Sequence, residues 1–387
     1  MPKKIVRTEE VHRIVHTLFE NEMHAKRIES LANGVTGVMH SGSLVVRLIG
    51  QGLAHAHELK TKHAVKQVDR LVGNEKLVPW ELASTWVPFV CGDREEIVVA
   101  LDWTDFDHDG HSTLAANLVN AAGHGRTLPL IWKTVEKSKL KHHRNEFEDE
   151  VLQRLKETLP ASVKKVTILA DRGFGDSKLY EALKEEWGFD FVIRFRGDIS
   201  VTDTAGVTKT ANEWLSPRGV ARKLTNVTVT NKNVPLAAVV VVKGKGMKQA
   251  WHLAVGDATK TASEAVALYA RRFTIEETFR DIKDIRFGMG LSSTKVSSPI
   301  RRDRLLLLSA LTVVLLTMLG EAGESIGLDM DFKANTSKKR THSLLRQGSM
   351  YYEFLSAMPE DKVKRLIEAF IEKLRKQPAL AFIFQEK

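Results

Sequence analysis

Apolar residues recur along this chain at two spacings, and the change from one to the other falls near residue 96. Up to about residue 80 they recur every three to four positions, which predicts helices over 8–32, 43–59 and 61–73, separated by glycine breaks. Thr61 is the expected N-cap of the third helix. On that helix Val65, Val68, Leu71 and Val72 would turn inward, leaving Lys62, His63, Lys66, Gln67 and Arg70 outside. From residue 96 the runs "EIVVALDWTDF", "STLAANLVNAA" and "RTLPLIWKTV" are strand-like and joined by short polar or glycine turns, predicting an antiparallel three-strand meander. There follow a helix, "NEFEDEVLQRLKETLP", stopped by Pro160, and a buried strand in "KKVTILADRGFG". A helix in "DSKLYEALKEEWG" and a strand in "FDFVIRFRG" complete the run. The order β-β-β-α-β-α-β predicts a mixed α/β sheet.

Residues 197–255 read differently: "ISVTD", "ARKLTNVTVT", "LAAVVVVKGKG" and "QAWHLAVGD" are all β-like. The next stretch, "YARRFTIEETFRDIK" (269–283), is helical with two stripes. Tyr269, Arg272, Glu276 and Lys283 project onto one of them. Leu268, Ile275, Phe279 and Ile282 form the apolar stripe beside it. Glu277, Arg280, Asp281 and Asp284 fall mostly away from the core and are expected in solvent. "LLLLSALTVVLLTML" (305–319) is apolar but short for a bilayer span, and Arg301, Arg302 and Arg304 flank only one end, so a buried core helix is expected and no membrane. A basic, Ser/Thr-bearing segment, 333–347, leads to closing helices near 350–376. These textures divide the chain into 1–90, 91–196, 197–255, 256–325 and 326–387.

Composition narrows the function. A net charge of +10 over 387 residues favours a polyanionic partner. With 43% hydrophobic residues the chain is not broadly disordered. Cys91 is its single cysteine, which excludes an internal disulfide framework and fits a reducing cytoplasm. No signal peptide is recognisable in "MPKKIVRTEE", and no G-x-S-x-G elbow supports a Ser-His-Asp hydrolase. "DFDHDGH", with Asp105, Asp107, His108, Asp109 and His111, has metal-ligating residue types but occupies a hairpin turn, where a solvated Asp/Gly turn is expected.

Three other acids carry more. Asp102 follows "VVAL" and Asp171 follows "TILA", so both close apolar strands, where an unneutralised carboxylate is costly to bury. Glu276 lies on a helix whose apolar face can pack on the same sheet. Three converging hard oxygen donors suit Mg²⁺ or Mn²⁺ better than zinc. Two such ions about 4 Å apart would clamp the attacking and leaving oxygens of a phosphoryl transfer. Tyr269, Arg272 and Lys283 would then line up as phosphate contacts. The outer face of 61–73 has the look of a DNA-recognition helix, a pattern that a solvated basic helix shares.

"DWT" at 102–104, "DRGFG" at 171–175 and Tyr269-x2-Arg272-x3-Glu276-x6-Lys283 together resemble the DDE transposases of the insertion-sequence-four family, whose Y-R-E-K signature the last pattern matches. The resemblance covers about 95–320. It implies a ribonuclease-H-like core interrupted by the β-rich insertion, with a helical DNA-end-binding region before it and a helical, dimer-forming region after it. It also implies a bacterial, cytoplasmic, nucleoid-associated cut-and-paste enzyme acting as a homodimer on double-stranded terminal repeats and target DNA. Asp102 would ligate both Mg²⁺ ions, and Asp171 and Glu276 one each. Trp251 stands where the family stacks a flipped base during hairpin formation; a core tryptophan is the other reading. A two-metal nuclease or resolvase without strand transfer, and a domesticated DNA-binding protein, are the rival functions.

Overall fold

Helices precede the first strand: α1 (Pro2–Phe19), α2 (Ala25–Ser41), α3 (Val46–His57), α4 (Thr61–Gly73) and α5 (Ala83–Cys91). The computed structural model describes residues 2–120, 125–286, 288–334, 336–337, 339–378 and 380, with backbone alone for 2–8. The meander is β1 (Glu96–Phe106), β2 (His111–Val119) and β3 (Thr127–Glu136), followed by α6 (Arg144–Thr158), β4 (Lys165–Ala170), α7 (Ser177–Glu185) and β5 (Asp190–Arg194). The end of the second predicted strand, beyond residue 120, lies outside the described residues. Then come β6 (Ser200–Thr202), β7 (Thr208–Thr210), β8 (Arg222–Val229), β9 (Val234–Val242) and β10 (Trp251–Val255). The chain closes with α8 (Ala262–Ala270), α9 (Thr274–Lys283), α10 (Pro299–Ser325), α11 (Leu344–Phe354) and α12 (Glu360–Arg375).

Among the described residues, ten strands form one sheet in the order β3-β2-β1-β4-β5-β10-β9-β8-β6-β7. Of these pairings, β1–β4 and β4–β5 are parallel and the others antiparallel. The first five strands are the ribonuclease-H-like arrangement, and β6–β10 extend the same sheet from its β5 edge. Alternation within the strands splits the core into two layers. Val99, Leu101, Ile168 and Ile193 face the larger one, shared with α6 and α10. Ala100, Leu169, Val192 and Leu253 face the smaller one, shared with Tyr269 and Ile275 of the α8–α9 segment.

α10 is the hub of the larger layer and packs against α2, α4, α11, α12 and β3. Its most apolar window has a mean hydropathy of 2.1 and is 94% buried inside the protein, so it is the core helix its length suggested. Each buried leucine there contributes roughly 1.5–3 kcal/mol of apolar burial.

Several expected boundaries shift. The helix expected over 8–32 is two, because residues 20–24 break it and the His24 side chain caps α2 by accepting the Lys26 N–H. Gly34 and Gly37, which fall between the expected helices 8–32 and 43–59, lie inside α2, and Gly42 ends it. A side-chain carbon on Gly37 would sit 2.5 Å from the Ile49 carbonyl oxygen, so glycine there permits close α2–α3 packing. Lys60, not Thr61, occupies the N-cap of α4, without a side-chain cap. The stretch 269–283 is not one helix: a 3-10 turn, Arg271–Phe273, joins α8 to α9. The Thr274 hydroxyl, donating to the Arg271 carbonyl at 2.7 Å, satisfies a backbone acceptor at that junction. α11 begins at Leu344, inside the expected linker, where Ser343 caps it through the Arg346 N–H.

Candidate active site

The parallel β1–β4 pair places two acids side by side. Leu101 stands opposite Ala170, so the next residues, Asp102 and Asp171, leave adjoining strands at the same end of the sheet. Side chains alternate, so Asp102 shares the Ala100 face and Asp171 the Leu169 face, both turned toward α8 and α9. Carboxyl ends of neighbouring parallel strands are the usual site of chemistry in α/β sheets. Asp171 turns the chain into a 3-10 turn by accepting the Gly173 N–H at 2.7 Å. A side-chain carbon at Gly173 would come within 2.9 Å of that carboxylate, so glycine leaves it room.

Glu276 reaches the pair from α9. Arg272, only 4% exposed, donates to Asp102 at 3.3 Å and to Glu276 at 2.5 Å, and so bridges strand and helix. Glu277 points away, to Arg280 at 2.8 Å. Lys283, two turns farther along α9, donates to the Asp105 carbonyl at 2.6 Å and to Thr104 Oγ1 at 3.2 Å, fastening the helix to the end of β1. Burial pushes the Asp102 carboxyl up to about 6. Arg272 opposes that shift, and the neighbouring charges of Asp171 and Glu276 reinforce it.

Tyr269 is buried, and its ring meets that of Trp251 edge-on with centroids 4.9 Å apart. Trp251 is half-buried at the start of β10, on the same sheet face as the acids, with exposed Phe273 6.0 Å away. Arg272 lies over the Phe273 ring at 4.5 Å. Asp102 and Asp171 open into a cleft of about 830 Å³ that Arg144, Arg172, Arg196 and Lys137 also line. On α4, Lys62, His63, Lys66 and Arg70 are exposed and Gln67 half-buried, and none of them lines this cleft.

Residues 93–315, more than half of the chain, match the family model described as the transposase DDE domain. The chain belongs to the DDE transposase family. A comparison with curated proteins gave no match. Asp102, Asp171 and Glu276 all fall inside the matched span, and the family's enzymes cleave DNA with divalent metal ions. The transposase's donors fit such an ion in type, being hard carboxylate oxygens whose mutual repulsion calls for a cation. Among the described residues, however, no three His, Cys, Asp or Glu side chains converge closely enough to hold a metal. The Arg272 guanidinium lies between Asp102 and Glu276 and supplies the positive charge there.

Other residues of the site carry no sequence pattern. Thr278, fully buried on α9, accepts the Thr127 N–H at 2.9 Å and bonds its hydroxyl at 2.9 Å, docking α9 on the start of β3. Asp281, expected in solvent, is instead paired with Arg126 at 2.5 Å. The 105–111 turn is only partly solvated. Asp105 and Asp107 pair with Lys137, whereas Asp109 and His111 are buried against Arg302. Arg302 comes from α10, so the turn's buried half answers to a partner some 190 residues away in sequence.

Proposed function

We propose that the chain is a cut-and-paste transposase of the insertion-sequence-four type, acting in the cytoplasm of a bacterial cell. In this reading it binds the terminal repeats of its element as a homodimer, cuts them and joins the 3′ ends to target DNA. The observation that carries the reading is the adjoining Asp102–Asp171 pair, with Glu276 coupled to it through Arg272. Asp102 would contribute to holding two Mg²⁺ ions, with Asp171 and Glu276 holding one each and Mn²⁺ able to substitute. Bound there, the ions would activate the attacking oxygen and stabilise the leaving one.

The chain's own side chains do the rest. Arg272 is released from the carboxylates and, with Tyr269 and Lys283, holds backbone phosphates beside the scissile bond. Lys283, already bonded at the end of β1, fixes how far α9 stands from the sheet. Trp251 offers its ring to a base unstacked during hairpin formation. The outer face of α4 meets the terminal repeat.

The test is incubation of the full chain with its element's terminal repeats and Mg²⁺, resolved on a denaturing gel. Nicks, then hairpins, then joined products are expected. Nicks alone would favour the plain nuclease or resolvase, and binding without cleavage a domesticated DNA-binding protein.

A further inference from the structure

The cleft beside the acid pair holds an arginine to which the chemistry above gives no role. Arg144 opens α6, and its Nε–H donates to Glu148 at 3.0 Å. Its guanidinium lies over the rings of Trp103 and Phe174, 5.3 and 5.8 Å from their centroids. Glu148 is 4% exposed, and the same oxygen that holds Arg144 also accepts the Trp103 Nε1–H at 2.7 Å. Trp103 alternates to the opposite sheet face from Asp102, so this assembly abuts the acid from the α6 side. The terminal nitrogens of Arg144 bond to no described residue, and one lies 3.8 Å from where a side chain on Gly173 would begin.

We infer that Arg144 anchors a phosphate of the DNA strand passing through this cleft, with Glu148 and Trp103 as its positioning residues. A guanidinium set over two rings and pinned at one edge presents its other nitrogens as a fork that fits a phosphate. Tyr269, Arg272 and Lys283 do not line the cleft. Arg144 therefore holds the strand within the cleft itself, on the side of Gly173 and α6. Lys137 is already engaged by Asp105 and Asp107, which leaves Arg144, Arg172 and Arg196 as the cleft's cations for DNA. The inference rests on the reading of Asp102 and Asp171 as a DNA-cutting pair.

The experiment measures binding of the full chain to a short random-sequence duplex and to a terminal-repeat duplex over a range of salt, without divalent metal. Arg144→Ala is expected to bind roughly tenfold or more weakly, with its log–log salt slope reduced by about one. Arg144→Lys keeps the charge but loses the pinned fork, so it should recover the slope and not the affinity. A loss on both duplexes places the phosphate in DNA of any sequence, target included; a loss on the terminal repeat alone places it in the element's end. An Arg144→Ala protein with unchanged affinity and slope overturns the inference. So does one whose affinity falls together with its melting temperature while the slope stays unchanged. Wild-type failure to cut terminal repeats would count against the transposase reading and leave the slope measurement to decide Arg144.

Discussion

The Arg272 guanidinium lies 3.3 Å from the Asp102 carboxylate, across 170 residues of sequence, in a position where it competes with any divalent cation for that acid. Metal and arginine therefore oppose each other at one carboxylate. Mg²⁺ should raise the melting temperature of the wild-type protein at neutral pH, because it binds the folded arrangement and not the unfolded chain. Asp102→Asn, Asp171→Asn and Glu276→Gln should each lose that response and lose cleavage by several orders of magnitude, while end binding stays intact. Glu277→Gln, whose parent side chain faces Arg280, should stay within a few-fold of wild type. Calorimetry with Mg²⁺ and a cleavage assay check both; an inactive Glu277→Gln beside an active Glu276→Gln would reverse the roles of the two glutamates.

Asp102 also sets a pH dependence. Burial, with Asp171 and Glu276 reinforcing it against Arg272, raises its folded-state pKa from 3.8 to about 6. The folded protein thus holds this proton more tightly than the unfolded chain does. The stability from this group is complete below about pH 4 and is lost as pH rises through about 6. Asp102→Asn should therefore stabilise the metal-free protein at pH 7.5 by about 2–3 kcal/mol and do little at pH 4. Thermal melts across that window check it. A variant less stable than wild type at pH 7.5 would make Asp102 a fold-stabilising partner of Arg272 instead.

Glu276 depends on how α9 is docked, and the dock is Thr278 on Thr127. Thr278→Val keeps the shape but removes the acceptor of a buried N–H, at a cost of about 1–3 kcal/mol. Cleavage should fall more than DNA binding does, and Thr278→Ser should restore both. Equal losses in binding and cleavage would show that Thr278 supports the fold generally and not the placement of Glu276.

What could be read from the residues alone was what depends on near neighbours in sequence. A carboxylate ending an apolar run marks Asp102 and Asp171, and period-3.6 spacing marks α4 and its exposed basic face. The i,i+4 link from Arg272 to Glu276 was legible for the same reason, but the link from Arg272 to Asp102 joins elements far apart in the chain. Thr278 carried no signal because one threonine on a helix looks alike whether it docks that helix or faces water. Asp109 and His111 read as a solvated turn because nothing nearby in sequence announces Arg302. Gly37 fell outside the expected helix because its reason, the Ile49 carbonyl, belongs to the next helix.

The same packing decides how end recognition is tested. α2 and α4 pack on α10, so deleting residues 1–90 would strip the core and confound binding with unfolding. Substitution avoids this, since Lys62, Lys66 and Arg70 are exposed on α4. Replacing all three by alanine should weaken binding to terminal repeats and flatten its salt dependence by up to about three counterions, with melting unchanged. His63 and Gln67 variants should instead alter preference among end sequences. A triple variant that still selects terminal repeats over random DNA with wild-type affinity would move end recognition elsewhere.

Trp251 separates a hairpin-forming transposase from a plain nuclease. Both hydrolyse one strand first, which needs no unstacked base. Only the transposase then turns the freed 3′-hydroxyl on the opposite strand, which demands a sharp bend and a base taken out of the stack. Trp251 is half-buried; its ring packs edge-on against Tyr269 and lies 6.0 Å from that of exposed Phe273. An open aromatic face stacks a base for about 1–3 kcal/mol, enough to slow the hairpin step roughly tenfold or more when it is removed. Trp251→Ala should accumulate nicked ends and lose hairpins, and Trp251→Phe should keep part of the activity because it keeps a π-face. Time courses on a denaturing gel, with melting temperatures as the folding control, check this. Wild-type hairpin rates in a stably folded Trp251→Ala protein would return the residue to the core, and nicks without hairpins in the wild type would favour the nuclease.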